Sequence, residues 1–215
     1  LMHAARNYRV WILFCSYAAC FGIEIFMHNI IAMYYVEHFS FGLKEAGLAA
    51  GIFGLLALFA RALGGILSDK VALKKGLDGR TKVLFALILG EGLFLMLFSQ
   101  MNGPVFAILV MTVFALFTHM ACGATYALVP FIDREALGGV AGIIGAGGNV
   151  GAVAAGFLLK GMVDIQTCLM VLGGLVVIAA SSVMLIRFSV EHKEKEQRLF
   201  EQAILERGSE QNSAA

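Results

Sequence analysis

Five ionisable side chains stand inside long apolar stretches of this sequence: Glu24, His28, Arg61, Glu91 and His119. At membrane depth each costs roughly 2.5 kcal/mol or more unless it is paired or wet. Arg61 is the most constrained, because a guanidinium cannot shed its charge as a carboxyl or an imidazole can. It requires a cavity, a counter-ion or an anionic ligand. The blander alternative is an arginine reaching the headgroups: counted from Ser68 at about 1.5 Å per residue it lies roughly 10 Å inside the boundary, within partial reach of a long side chain. Glu24 and His28 are four residues apart and share a helix face, where they could pair, relay a proton or simply tie two helices together. For Glu91 and His119 a hydrogen-bonded packing role outweighs a functional one.

A second concentration of unusual residues is glycine: Gly138, Gly139, Gly142, Gly145, Gly147, Gly148, Gly151 and Gly156 fall within one apolar run. Gly147, Gly151 and Ala155 repeat every four residues, as do Gly148, Ala152 and Gly156, the small-xxx-small pattern that lets membrane helices approach closely. Asn149 lies among them on the face of Gly145, with a donor and an acceptor at a depth where an unpaired amide is costly. The string Gly145-Ala-Gly-Gly-Asn-Val-Gly151 superficially suggests a dinucleotide loop, but no strand precedes it and it lies within a spanning segment. Helix packing alone also accounts for these glycines.

The elements that must position these residues follow from composition. Of 215 residues 60% are hydrophobic and 14% charged, with two prolines and a mean hydropathy of +0.84, against roughly 45 to 50% apolar and about 25% charged in soluble domains. Lipid is the solvent these numbers describe. A hydrocarbon layer of about 30 Å needs roughly 20 apolar residues per helical crossing. Six runs qualify: Val10 to Val36, Ala46 to Ser68, Val83 to Met101, Pro104 to Pro130, Leu137 to Leu159 and Ile165 to Phe188. They lack the ten-residue alternation of barrel strands. Residues 1–189 are thus expected to form an all-α six-helix transmembrane bundle and residues 190–215 a charged tail, with a solvated surface helix over Val190 to Arg207 and no structure from Gly208 to Ala215.

If the six runs alternate across the bilayer, only Lys44 and Lys160 fall opposite to Arg6, Arg9, Lys70, Lys74, Lys75, Arg80, Lys82, Arg134, Arg187 and the tail's basic residues. The positive-inside rule then puts both termini in the cytoplasm, in a plasma membrane or bacterial inner membrane. The net charge of +1 argues against nucleic acid. Cys15, Cys20, Cys122 and Cys168 have neither metal-ligand nor CxxC spacing, and no nucleophile and base pair or cofactor loop is evident, so no cofactor, metal or enzyme activity is expected. Arg6 and Arg9 lead into a spanning run rather than a cleavable signal. The opening Leu1 suggests a fragment.

Two motifs carry a resemblance. Gly64-Gly65-Ile-Leu-Ser-Asp69-Lys70, with the basic loop to Arg80, resembles the conserved loop of major facilitator transporters between the second and third helices of each half. Gly65, Asp69, Lys70 and Arg80 are the matching latch positions. Ala121-Cys-Gly-Ala-Thr-Tyr126, Val129-Pro-Phe131 and Gly142-Ile-Ile-Gly-Ala-Gly-Gly-Asn-Val-Gly151 resemble the nitrate/nitrite porter family, glycine signature included. The likeness runs from about Asn7 to Lys160. It implies a C-terminal six-helix half of a major facilitator fold, completed by a missing N-terminal half from the same polypeptide or a second chain. In that family an arginine in the helix before the loop binds the anion, which Phe59-Ala-Arg61-Ala-Leu-Gly-Gly65 places at Arg61. The aromatic pattern that stacks on the anion is similar to Tyr17-Ala-Ala-Cys-Phe21-Gly22, and the glycine signature corresponds to Gly145, Gly147, Gly148, Asn149 and Gly151. Measured inward from the helix ends, Tyr17, Phe21, Arg61 and Asn149 lie roughly 10 to 17 Å deep, in one layer.

The resemblance implies transport of nitrate or nitrite by alternating access, with Glu24 and His28 available for proton coupling and no transport expected of one half alone. Another small anion such as formate, oxalate or chloride, or a non-transporting membrane assembly subunit, is the alternative. The role given to Arg61 requires its guanidinium to face a water-accessible chamber rather than a capping carboxylate or phospholipid.

Overall fold

The computed structural model describes residues 2–196, 198 and 199, which contain helices and no strand. A short α1 (Met2–Ala5) precedes α2 (Tyr8–Tyr17), a π-helical turn at Ala18–Gly22, and α3 (Ile23–Phe39). The Asn7 side chain starts α2 by accepting from Arg9 N at 3.1 Å, an N-cap that satisfies one of the donors a first helical turn leaves open. Together these segments make one 32-residue span, Tyr8–Phe39. Ser40, in the left-handed region at φ 55°, ends it.

α4 (Leu43–Ser99) has 57 residues, about 85 Å of helix at 1.5 Å per residue and far more than one bilayer can cover. Gly76, at φ 58° and ψ −149°, divides it. That backbone conformation is open almost only to glycine. Contacts with α5 (Pro104–Leu128) show what the break does. Along the first limb the pairing rises together: Phe53 stacks on Phe114 at 5.9 Å, and Gly123 meets the backbone of Arg61. On the second it runs backwards: Phe94 stacks on Phe117 at 5.4 Å, and Arg80 Nη1 donates to Ala127 O at 3.4 Å. The chain reverses at Gly76. Among the described residues, the five helices long and apolar enough to cross a membrane therefore provide the six expected crossings.

α6 (Leu137–Gly161) and α7 (Ile165–Val183) complete the bundle. Asp164 caps α7, accepting from Thr167 N at 2.7 Å. Glycine sets the closest approaches. A Cβ at Gly64 would overlap the carbonyl oxygen of Met120, and one at Gly92 would sit 2.8 Å from Gly173 O. On α6, Gly147 would meet Phe14 O at 2.5 Å, and Gly151 faces both Ala18 and Gly22, so α6 lies against the π-helical turn backbone to backbone. All four cysteines are unpaired, and three are buried among these contacts.

At the basic end of the bundle Arg80 Nη1 donates to Asp69 Oδ1 at 2.5 Å, and its Cζ lies 4.6 Å from the centre of the Phe131 ring. Lys70 is exposed and forms no ion pair among the described residues. A Cβ at Gly65 would touch nothing; the adjacent Gly64 makes the close contact. Residues 190–196 are helical and bridge two loops. Lys193 Nζ donates to Asp78 Oδ2 at 2.6 Å, His192 Nε2 to Phe131 O at 3.0 Å, and Arg134 Nε to Glu196 Oε1 at 2.9 Å. The expected solvated helix is thus docked over its described length. Its expected continuation to Arg207, apart from residues 198 and 199, and the segment Gly208 to Ala215 lie outside the described residues.

The Arg134 guanidinium beside Glu196 holds that carboxyl below its ordinary range. A lowered folded value means the pair contributes fully above the ordinary glutamate value of about 4.3 and fades as the pH falls through the folded one. Acidification below about pH 4 should therefore loosen 190–196, seen as faster amide exchange in that segment. Glu196→Gln should remove the pH step, and a step that survives in this variant would assign it to another group.

Candidate functional site

The layer at mid-depth is assembled from three elements. The π-helical turn Ala18–Gly22 inserts an extra residue into the first span, a geometry recurrent at functional sites. It presents Phe21 to α4 while Gly148 passes beneath, where an added Cβ would lie 3.2 Å from Phe21 Cβ. Tyr17 stacks on Phe21 with centroids 5.0 Å apart and planes 18° apart. Arg61 lies over the Phe21 ring of this stack, its Cζ 5.2 Å from the centroid. This is a cation–π contact. Three of the four residues expected in one layer thus come together.

Asn149 does not join them by a hydrogen bond. It is exposed on α6, one turn beyond Gly145. Gly145 points at Tyr126, whose hydroxyl would lie 3.2 Å from an added Cβ. Tyr126 meets Tyr17 edge-on with centroids 5.0 Å apart, so it links the glycine helix to the aromatic stack. It stands at the end of the Ala121 to Tyr126 string, the one signal in the sequence that could have assigned it a place in the site.

Arg61 is not an uncapped cation. Its Nη2 donates to Glu24 Oε1 at 2.6 Å, which corrects the expectation that the guanidinium faces a chamber without a carboxylate. Its side chain stays 40% exposed, but Nε is buried and has no acceptor among the described residues. One donor of the fork is therefore taken by Glu24, and Nε is an unpaired donor closed to solvent.

Glu24 is the hub. His28, the neighbour expected from its spacing, is the most distant of its basic partners, with Nε2 3.9 Å from Oε1, and it packs edge-on against Phe53. On the other oxygen, Oε2, Cys122 Sγ donates at 3.5 Å and His119 Nδ1 lies at 3.2 Å. His119 is completely buried, and its Nδ1 is near Oε2 in distance but off hydrogen-bond alignment. His119 thus belongs to the cluster, although sequence alone assigned it to packing. Glu91 is completely buried on the second limb, with neither carboxyl oxygen hydrogen-bonded to a described residue. A cavity of about 630 Å³ lies away from this cluster, at the basic end between Asp69, Arg80, Phe131 and the docked tail.

The chain's relatives agree with this architecture. The Major Facilitator Superfamily profile matches residues 12–211. An Arabidopsis thaliana protein named high affinity nitrate transporter 2.5 is 42% identical over 153 residues, which cover 71% of this chain and 30% of that protein. High affinity nitrate transporter 2.7 of the same plant is 38% identical over 190 residues, 87% of this chain and 38% of that protein. The nitrate/nitrite transporter NrtP of Nostoc punctiforme is 32% identical over 146 residues, 67% of this chain and 28% of that protein. The chain belongs to the Major Facilitator Superfamily and, within it, to the nitrate/nitrite porter family. It is an integral membrane protein that spans about a third of the length of the relatives it matches.

Proposed function

We propose that this chain supplies one half of a secondary transporter that moves nitrate or nitrite by alternating access. The observation that carries the reading is the stack of Tyr17, Phe21 and the Arg61 guanidinium at mid-depth, in a chain whose relatives are named for nitrate. A planar monovalent anion suits a planar donor fork lying beside aromatic faces. Because Glu24 holds one edge of that fork, the anion must share Arg61 or displace the carboxylate. Binding is thus an exchange of counter-ions rather than capture by a free charge. The glycines of α6 let the helix come close enough to seat Phe21 and Tyr126.

The matching share of the relatives supports a second six-helix half as the partner that closes the site, from the same polypeptide or another chain. The clustering of basic residues at one end supports a cytoplasmic placement of both termini. The contacts of Arg80 with Asp69 and Phe131 support a latch that holds the helix ends in one state and opens in another.

Competition tests the substrate. With the completing half supplied in proteoliposomes, unlabelled nitrate and nitrite should suppress uptake of labelled nitrate more strongly than formate, oxalate or chloride. Stronger suppression by a carboxylate would move the assignment to another small anion.

A further inference from the structure

The basic end of the bundle holds a cavity that the anion site does not use. Its volume is about 630 Å³, within the roughly 300 to 1,000 Å³ of small-ligand sites. One wall is the last part of the first limb of α4 with the reversal at Gly76, and the other is the docked segment 190–196, through Lys193, Glu194 and Glu196. The cavity lies where the spanning segment gives way to charge. Ile66 stands just before Ser68, which ends the apolar run, and Asp69 and Lys70 follow it. Ile66, Lys70 and Leu73 succeed one another at four and three residues, so one helix face carries an apolar side chain, a cation and a second apolar side chain. All three line the cavity, and each is exposed.

Charge around the cavity is not balanced. The cations lining it are Lys70, Lys75, Arg80 and Lys193. Asp69 takes Arg80 and Asp78 takes Lys193. The acids of the opposite wall are also taken, Glu196 by Arg134 and Glu194 by Arg198 at 3.6 Å. Lys70 and Lys75 have no acidic partner among the described residues, which leaves two positive charges beside an uncovered apolar surface. Leu73 is 67% exposed and Ile66 48%, and covering such side chains with apolar matter is favourable. A soluble anion would satisfy the lysines and leave Leu73 in water. An anionic phospholipid satisfies both, with its phosphate on the lysines and its acyl chain along Ile66 and Leu73. Basic pockets at membrane-helix ends are suited to such headgroups.

We propose that this cavity binds one anionic phospholipid of the adjoining leaflet, its phosphate held by Lys70 and Lys75 and its first acyl methylenes by Ile66 and Leu73. Because the walls are the loop that reverses α4 and the docked segment of the tail, an occupied site joins the two and holds residues 190–196 against the bundle. Lys70 is nine residues beyond Arg61, about 13 Å of helix, so the lipid site goes beyond the transport reading and stands or falls without it.

The test is lipid binding by the chain with its completing half, read by native mass spectrometry with added phosphatidylglycerol or phosphatidylcholine. Wild-type protein should retain phosphatidylglycerol in preference to phosphatidylcholine. Lys70→Gln with Lys75→Gln should retain one molecule fewer, with affinity for this site lowered about thirtyfold, each juxtamembrane lysine contributing about fivefold toward an anionic headgroup. Lys74→Gln with Lys82→Gln removes the same charge from outside the cavity lining and should keep that molecule. Leu73→Ser should weaken lipid binding, and inorganic phosphate at the same concentration should not displace the lipid. In nanodiscs, amide exchange of residues 190–196 should be slower with phosphatidylglycerol than with phosphatidylcholine in wild type, and the same with both in the Lys70 and Lys75 variant. Equal retention of the two lipids by wild type overturns the site without recourse to any variant. An equal loss in the Lys74 and Lys82 variant assigns the binding to general surface charge and overturns it as well. Displacement by inorganic phosphate, with Leu73→Ser unchanged, overturns the lipid as occupant, and wild-type exchange indifferent to the lipid overturns the tie to the tail.

Discussion

With the completing half supplied, nitrate uptake should fall by more than tenfold when Gly123 is replaced by alanine, although Gly123 is not among the residues proposed to bind the anion. A Cβ there would overlap the carbonyl oxygen of Arg61, a backbone atom that cannot rotate aside. α4 and α5 must separate by enough to clear it, at a cost of about 1 to 3 kcal/mol for overpacking. The displaced segment is the one carrying Arg61, so its contacts with Glu24 and Phe21 are lost with the register. A lower melting temperature in detergent should accompany the loss of uptake. Gly51→Ala is the matched control on the same limb of α4: its Cβ meets nothing, and alanine is the better helix former by roughly 0.5 to 1 kcal/mol. Unchanged uptake and melting in Gly123→Ala would show that the two helices are not packed as described.

Arg61→Lys should reduce uptake roughly 10- to 100-fold with the fold intact. Lysine keeps the charge and reaches a similar depth, but it replaces a planar fork by a point donor. It cannot hold Glu24 with one N–H and present further coplanar N–H donors to a ligand, nor lie flat over Phe21. A hydrogen bond to a charged group is worth about 1.5 to 3 kcal/mol, and each 1.4 kcal/mol is tenfold in rate. Parental uptake in Arg61→Lys would remove the guanidinium from the mechanism, and the family assignment would survive it.

The crossings were legible because lipid leaves so few choices: every run of about 20 apolar residues has to satisfy its own backbone, and only a helix does that. Gly76 was not legible as the reversal point, since the basic loop around it continues as helix and only the positive φ breaks it. Arg61 stood out because its charge is permanent. The glycines of α6 could be recognised as a packing face from their four-residue repeat, yet nothing in that repeat says that the surface they meet is the π-helical turn beneath Phe21.

Sequence by itself determined a helical membrane protein with an arginine inside an apolar run, an aromatic pair before it and a glycine-rich helix behind, because hydropathy, permanent charge and residue size are properties of single positions and short spacings. Tertiary structure decided the partners. Glu24 is four residues from His28, and local spacing favours that pair, but its short contacts are to Arg61 and His119 on two other helices. Which charges cancel in a membrane core depends on distances across the bundle, and those are set by how closely glycine lets the helices approach.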